Sequence, residues 1–172
     1  LLPLLLVKGP RMRITVLGAT GMAGTAVVNE ALSRGHEVTA VSRRRCHRVG
    51  ARLTSRLLDV SDVEGVAGLL RDSDVAVIAL RPPTGHESDL AQLTTAVLDA
   101  ASRGRTPLLI IGGAAPLSSP TDPSTLAIDD PTIVPPAWRD VAQASLDQFR
   151  ACQAHSYKGW VYLSPPAIFA PG

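Results

Sequence analysis

The sequence predicts an α/β domain in which six parallel strands form a doubly wound sheet, in the order 3-2-1-4-5-6, with helices on both faces. Three observations carry this. Arg13 to Leu17 is a run of strand formers that breaks at Gly18, Gly21 and Gly24, after which Ala23, Val27, Val28, Ala31 and Leu32 recur at helical spacing. A second strand, Glu37 to Ser42, answers it at the distance a βαβ unit requires. Short apolar runs then keep alternating with helical segments to the end of the chain. With 172 residues, 45% of them hydrophobic, the chain suits one domain with a substantial core, so any substrate must bind on that same domain.

The first turn sets the chemistry. Gly18 lets the chain turn out of the strand, Gly21 lets the backbone approach a pyrophosphate closely, and Gly24 lets the helix pack tightly. The free N–H groups of Gly18-Ala19-Thr20-Gly21-Met22-Ala23-Gly24 then face phosphate oxygens, with the positive end of the helix dipole behind them. The spacing is G-x-x-G-x-x-G, not the tighter G-x-G-x-x-G; its meaning comes from lying between a strand and a helix. These features define a Rossmann-like turn, for which Gly18, Thr20, Gly21, Met22, Ala23 and Gly24 are the expected dinucleotide contacts.

Gly35 ends the first helix, and the second strand closes with Ser42 before Arg43, Arg44 and Arg45. An acidic residue there would bind the ribose hydroxyls of NAD, whereas arginines suit a 2′-phosphate, so NADPH is expected in preference to NADH, with Ser42, Arg43 and Arg44 as contacts. The third strand, Arg52 to Leu58, delivers Asp59-Val60 to the sheet edge before a helix from Asp62 to Leu70, which Asp59 could equally cap. The fourth, Val75 to Leu80, runs into Arg81-Pro82-Pro83-Thr84-Gly85; a loop at that end of a parallel strand belongs over the cofactor, which makes Leu80, Arg81 and Pro82 candidates, although the prolines could simply stiffen a connection. A helix from Glu87 to Ser102 follows, then strand five, Leu108 to Ile111, which leads into the candidates Gly112 and Gly113. Pro116 to Pro136 is a proline-rich loop with Asp122, Asp129 and Asp130, read as one wall of the substrate site, and Ser118 and Ser119 are read as loop residues. The last helix, Trp138 to Ala154, turns Val141, Leu146 and Phe149 inward, and strand six, Val161 to Leu163, ends in Ser164-Pro165-Pro166-Ala167.

The runs GATGMAG (Gly18 to Gly24), RGHEVTAVSR (Arg34 to Arg43), LLDVSD (Leu57 to Asp62) and DVAVIAL (Asp74 to Leu80) resemble the atypical short-chain dehydrogenase/reductase group with NmrA-like, NAD(P)H-binding domains. PLLIIGG (Pro107 to Gly113) and WVYLSPPAIFAPG (Trp160 to Gly172) are similar to its NADH-flavin reductase subfamily, with biliverdin/flavin reductase a more distant likeness. The resemblance implies that Asp59 and Val60 lie against the adenine, and that Pro165, Pro166 and Ala167 pass beside the nicotinamide. Ordinary short-chain dehydrogenases also carry a serine after strand five and a Tyr-x-x-x-Lys on the next helix. Neither occurs here, where Tyr157 adjoins Lys158, so no residue is assigned a catalytic role.

Composition narrows the remaining functions. A net charge of +2, with its basic excess gathered at Arg43, Arg44, Arg45 and Arg48, and 3% aromatic residues give no surface for nucleic acid. Cys46 and Cys152 lie far apart and form no framework, which fits a reducing cytoplasm; Cys46 beside its arginines is either a redox-sensitive thiol or an incidental one. His36, His47, His86 and His155 are dispersed, so no metal site is expected. Leu1 to Val7 is apolar but too short to cross a bilayer, and Leu1 to Arg11 reads as an upstream extension, while residues 12–172 form the domain and stop before the further strands and helix that the resembling family carries.

Three functions fit: an NADPH-dependent reductase of a flavin, quinone or similar conjugated small-molecule acceptor, a non-catalytic NADP(H)-binding redox sensor, and an epimerase or isomerase. The missing Tyr and Lys weigh against the last. A homodimer is compatible with the sequence, and no membrane partner is expected.

Overall fold

A computed structural model describes residues 10–44 and 50–170, so the leader to residue 9 and Arg45, Cys46, His47 and Arg48 lie outside the described residues. The strands are β1 (Arg13–Leu17), β2 (Glu37–Ser42), β3 (Leu53–Leu57), β4 (Val75–Ile78), β5 (Leu108–Ile111) and β6 (Trp160–Leu163). The helices are α1 (Met22–Ser33), α2 (Val63–Arg71), α3 (Asp89–Gly104) and α4 (Arg139–Ala154). All five strand pairings are parallel and the order is β3-β2-β1-β4-β5-β6, which is the predicted Rossmann-like topology.

Alternation along the strands separates two apolar layers. Val16, Val38, Ala40 and Val77 point to one face, where Val28 and Ala31 of α1 cover them. Leu17, Val41, Ile78 and Ile110 point to the other, under Val66 and Leu70 of α2, Val97 and Leu98 of α3, and Cys152 of α4. The period-2 pattern thus sorts each strand's side chains between one helix and three. Burial pushes the Cys152 thiol up to about 11, so that cysteine behaves as a small hydrophobe.

Local chemistry fixes the boundaries. Gly35, at φ +88°, closes α1 as its N–H bonds the Leu32 carbonyl and the His36 N–H bonds that of Ala31, the paired bonds of a Schellman end. The helix expected from Glu87 begins instead at Asp89, because Glu87 belongs to the preceding turn, where its carboxylate accepts from the Gly85 N–H at 2.8 Å. Likewise β4 stops at Ile78, although the Ala79 N–H still reaches the Leu17 carbonyl at 2.9 Å. Strand β3 is one residue shorter at each end than expected and, as an edge, buries little. In α4 only Leu146 of the three expected inward residues is fully buried; Val141 and Phe149 are half-buried, and Ser145 and Gln148 lie in the interior. Gln148 is tolerated there because its Nε2 donates to Thr94 Oγ1 at 3.0 Å. Among the described residues no helix is long and apolar enough to cross a membrane.

Candidate functional site

Because every strand runs the same way, whatever follows a strand arrives at one edge of the sheet. Gly18 follows β1, Ser42 closes β2, and Asp59, Leu80, Gly112 and Pro165 come one or two residues after β3, β4, β5 and β6. The sequence-predicted residues are therefore brought to the carboxyl-terminal edge of the sheet, with the reversal of strand order between β1 and β4 at its middle, the place where a parallel sheet of this kind opens its ligand crevice. Neighbouring exits are tied by backbone: the N–H groups of Gly18 and Ala19 both bond the Val41 carbonyl, at 3.0 and 3.1 Å, Leu58 N–H bonds Ser42, and Gly112 N–H bonds Leu163.

Three glycines of the first turn do different work. Gly18 has φ +86°, and a Cβ there would overlap the Ala79 carbonyl oxygen, so it serves both turn and close packing against β4. A Cβ on Gly24 would overlap the Gly18 carbonyl, which means the helix is seated on the turn itself. Gly21 is different: at φ −75° and ψ 170° any residue is comfortable, and a Cβ would stand 3.4 Å from the nearest atom, the Gly18 oxygen. The fold does not require glycine at this exposed position. No side chain caps α1 and no acid lies in its first turn, whereas Glu64, Asp89 and Asp140 occupy the first turns of α2, α3 and α4. The start of α1 thus keeps its positive potential for whatever approaches Thr20, Met22 and Ala23.

At the next exit, the Ser42 hydroxyl donates to the Arg44 carbonyl, which bends the chain so that Arg43 and Arg44 project into solvent. Asp59 accepts from the Ser61 amide at 2.9 Å and its hydroxyl at 2.8 Å. These bonds hold its carboxyl below the usual range, and the nearby Arg43 charge acts in the same direction. Asp59 does not cap α2: Asp62 does, accepting from the Gly65 N–H at 3.0 Å. Val60 is buried in the larger core. Leu80 and Pro82 are half-buried and Arg81 exposed; at the far end Pro165 is half-buried, and Pro166 and Ala167 are exposed.

Two clusters escaped sequence reasoning. Tyr162 of β6 buries its hydroxyl against α4, which raises its pKa, and Tyr157 donates to the Thr106 carbonyl at 2.8 Å at the opposite edge of the sheet. The only hint was alternation along β6. The second is Asp130, which gathers the loop from Pro116 to Pro136. Ser119 Oγ donates to it at 2.6 Å, the Thr132 hydroxyl at 2.6 Å, the Thr132 amide at 2.9 Å and Thr121 Oγ1 at 3.1 Å. A bridge between Ser118 and Leu126 and a 3-10 turn at Ala127–Asp129 complete that loop, so Ser119 is an internal strut.

The Ser119 and Thr132 donors lower the Asp130 carboxyl from 3.8 to about 2. A folded pKa below the unfolded one contributes stability above about pH 4, and that contribution is lost as pH falls through about 2. The Thr132 amide resonance is therefore expected to stay unchanged down to about pH 4 and then titrate toward about 2, and Asp130→Asn to abolish that titration; a transition near neutral pH would contradict the assignment.

A cleft of about 420 Å³ lies elsewhere, between the C-terminal end of α2 and the starts of β1 to β3, and is lined by Arg13, Glu37, Arg52, Arg56 and Asp72. None of its lining residues is among the predicted nucleotide contacts. Among the described residues no three of His, Cys, Asp or Glu gather as metal ligands.

Sheet order, crossover pattern and first turn together define a Rossmann-like α/β domain. A family model described as NAD(P)H-binding matches residues 18–170, and the chain belongs to that family. It is 29% identical over 161 residues to YwnB of Bacillus subtilis (strain 168), covering 93% of this chain and 74% of that one. Among solved structures it is similar to SP1627 of Streptococcus pneumoniae TIGR4, a "putative NADH-flavin reductase", with 26% identity, TM-score 0.78, and 90% and 71% of the two chains covered. A "putative epimerase" from Bacteroides thetaiotaomicron matches with 26% identity, TM-score 0.83, and 95% and 74% coverage.

Proposed function

We propose that the protein is an NADPH-dependent reductase that passes hydride to a flavin, quinone or comparable conjugated acceptor. The nucleotide would lie across the carboxyl ends of the strands, with its pyrophosphate at Gly21 to Gly24, its 2′-phosphate at Arg43 and Arg44, its adenine toward Asp59 and its nicotinamide toward Gly112, Gly113 and Pro165 to Ala167. The observation that carries the reading is Gly21, an exposed glycine that neither backbone angle nor packing demands, at the uncapped start of α1. Close approach of a ligand accounts for it.

The choice of acceptor follows from which side chains are committed elsewhere. Tyr162 and Tyr157 are both held inside the fold, and Lys158 donates its ammonium to the Gln153 carbonyl. No Tyr and Lys pair stands ready to protonate a simple carbonyl. NADPH supplies a hydride, and a conjugated ring that accepts it can take its accompanying proton from solvent, so the chain need only orient the two rings and exclude water. The likeness to SP1627 points the same way. Cytoplasmic residence suits such a reductase.

A second reading, an NmrA-like redox sensor without turnover, is favoured by the exposed apolar side chains of Val161 and Leu163 on β6, which would suit a protein partner. The deciding assay follows loss of reduced-nicotinamide absorbance with NADPH or NADH against flavins and quinones. Protein-dependent oxidation that prefers NADPH is expected; a flat trace from a sample that binds NADPH would replace the reductase by the sensor.

A further inference from the structure

We infer that Tyr162 is a positioning residue for the nicotinamide half of the crevice, acting through the Gly112-Gly113 backbone; the inference rests on the nucleotide reading above. The side chain leaves β6 on the face covered by α3 and α4, where its ring packs against Phe149 with centroids 5.0 Å apart. Its oxygen lies 2.9 Å from the Ser145 carbonyl and 3.1 Å from Gln148 Oε1, so one O–H hydrogen is divided between two acceptors on α4. Gln148, wholly buried, carries the connection on to Thr94 of α3.

Gly112 and Gly113 are not glycine for the sake of backbone freedom, since the glycines with positive φ among the described residues are Gly18, Gly35 and Gly85. They are glycine because other atoms stand where a Cβ would be. On Gly112 a Cβ would overlap the Tyr162 ring and hydroxyl, and on Gly113 it would come within 2.8 Å of Ser145 Oγ. The chain therefore leaves β5 lying directly on the tyrosine, and the Tyr162 ring and hydroxyl, anchored to Ser145 and Gln148 of α4, fix where the Gly112-Gly113 backbone runs. A phenylalanine would fill the same volume but leave the Ser145 carbonyl and Gln148 Oε1 without the hydroxyl that donates to them and anchors the ring.

The test compares NADPH with adenosine 2′,5′-bisphosphate, which carries the adenosine and the 2′-phosphate but no nicotinamide. Tyr162→Phe is expected to weaken NADPH about three- to tenfold while leaving the bisphosphate within about twofold. Tyr157→Phe, which loses a comparable hydrogen bond at the opposite edge of the sheet, is expected to lower stability similarly and change neither affinity. Gln148→Met, which withdraws one of the two acceptors, is expected to shift the affinity ratio in the same direction. Equal losses for both ligands in Tyr162→Phe, or no loss for either, with both binding the wild-type protein, would overturn the positioning role alone. Failure of the wild-type protein to bind either ligand would overturn the nucleotide reading and this role with it.

Discussion

Gly21→Val is expected to abolish NADPH binding in a protein that still folds. The two neighbouring glycines show why this result is informative. Alanine at Gly18 must adopt φ +86° and displace the Ala79 carbonyl, and alanine at Gly24 must displace the Gly18 carbonyl. Each should cost about 3 kcal/mol, because the obstructing atoms are backbone and cannot swing away. A Cβ at Gly21 meets only ordinary contacts in an unstrained backbone, so valine there is expected to lose little beyond helix-start preference, about 1 kcal/mol. Its methyl groups are expected to crowd a pyrophosphate that approaches the N–H groups at the start of α1. Thermal unfolding and fluorescence titration of the three variants separate the cases. Undiminished NADPH affinity in Gly21→Val would mean that the turn holds no phosphate.

The double replacement Arg43→Ala with Arg44→Ala is expected to weaken NADPH at least about tenfold and to leave NADH within about twofold, since each charge-assisted bond to a phosphate is worth about 1.5–3 kcal/mol. Both side chains are exposed, so stability should hardly change. Asp59 makes the prediction sharper. Its carboxylate lies near enough to Arg43 to feel its charge, and Ser61 keeps it ionised. A 2′-phosphate beside it needs the arginines to offset that negative charge, whereas NADH, with two hydroxyls there, does not. Equal losses for the two nucleotides would place these arginines outside the site.

How far the site could be read in advance follows from what kind of information each residue carries. The strand order was legible because apolar runs alternating with helical segments admit few right-handed parallel topologies. The shared edge of the candidate residues was legible for a related reason: in a parallel sheet, strand-following residues such as Gly18, Ser42 and Gly112 must arrive at one end. What a glycine is for was only half legible. Gly21 and Gly112 look alike in sequence, yet a Cβ on the first would meet only ordinary contacts and a Cβ on the second would overlap Tyr162. Asp59 and Asp62 are likewise interchangeable as helix caps until backbone geometry assigns the cap to Asp62. The Asp130 hub and the chain from Tyr162 through Gln148 to Thr94 join residues far apart in sequence, in a loop without periodicity and across two helices. No local pattern encodes such contacts.

Equilibrium titration of the protein with NADPH and, separately, with NADH, followed through nicotinamide fluorescence, decides whether the turn after β1 binds a dinucleotide. Saturable binding at one nucleotide per chain, tighter for NADPH, is expected. Absence of saturable binding, or tighter binding of NADH, would contradict the NADPH-dependent reading.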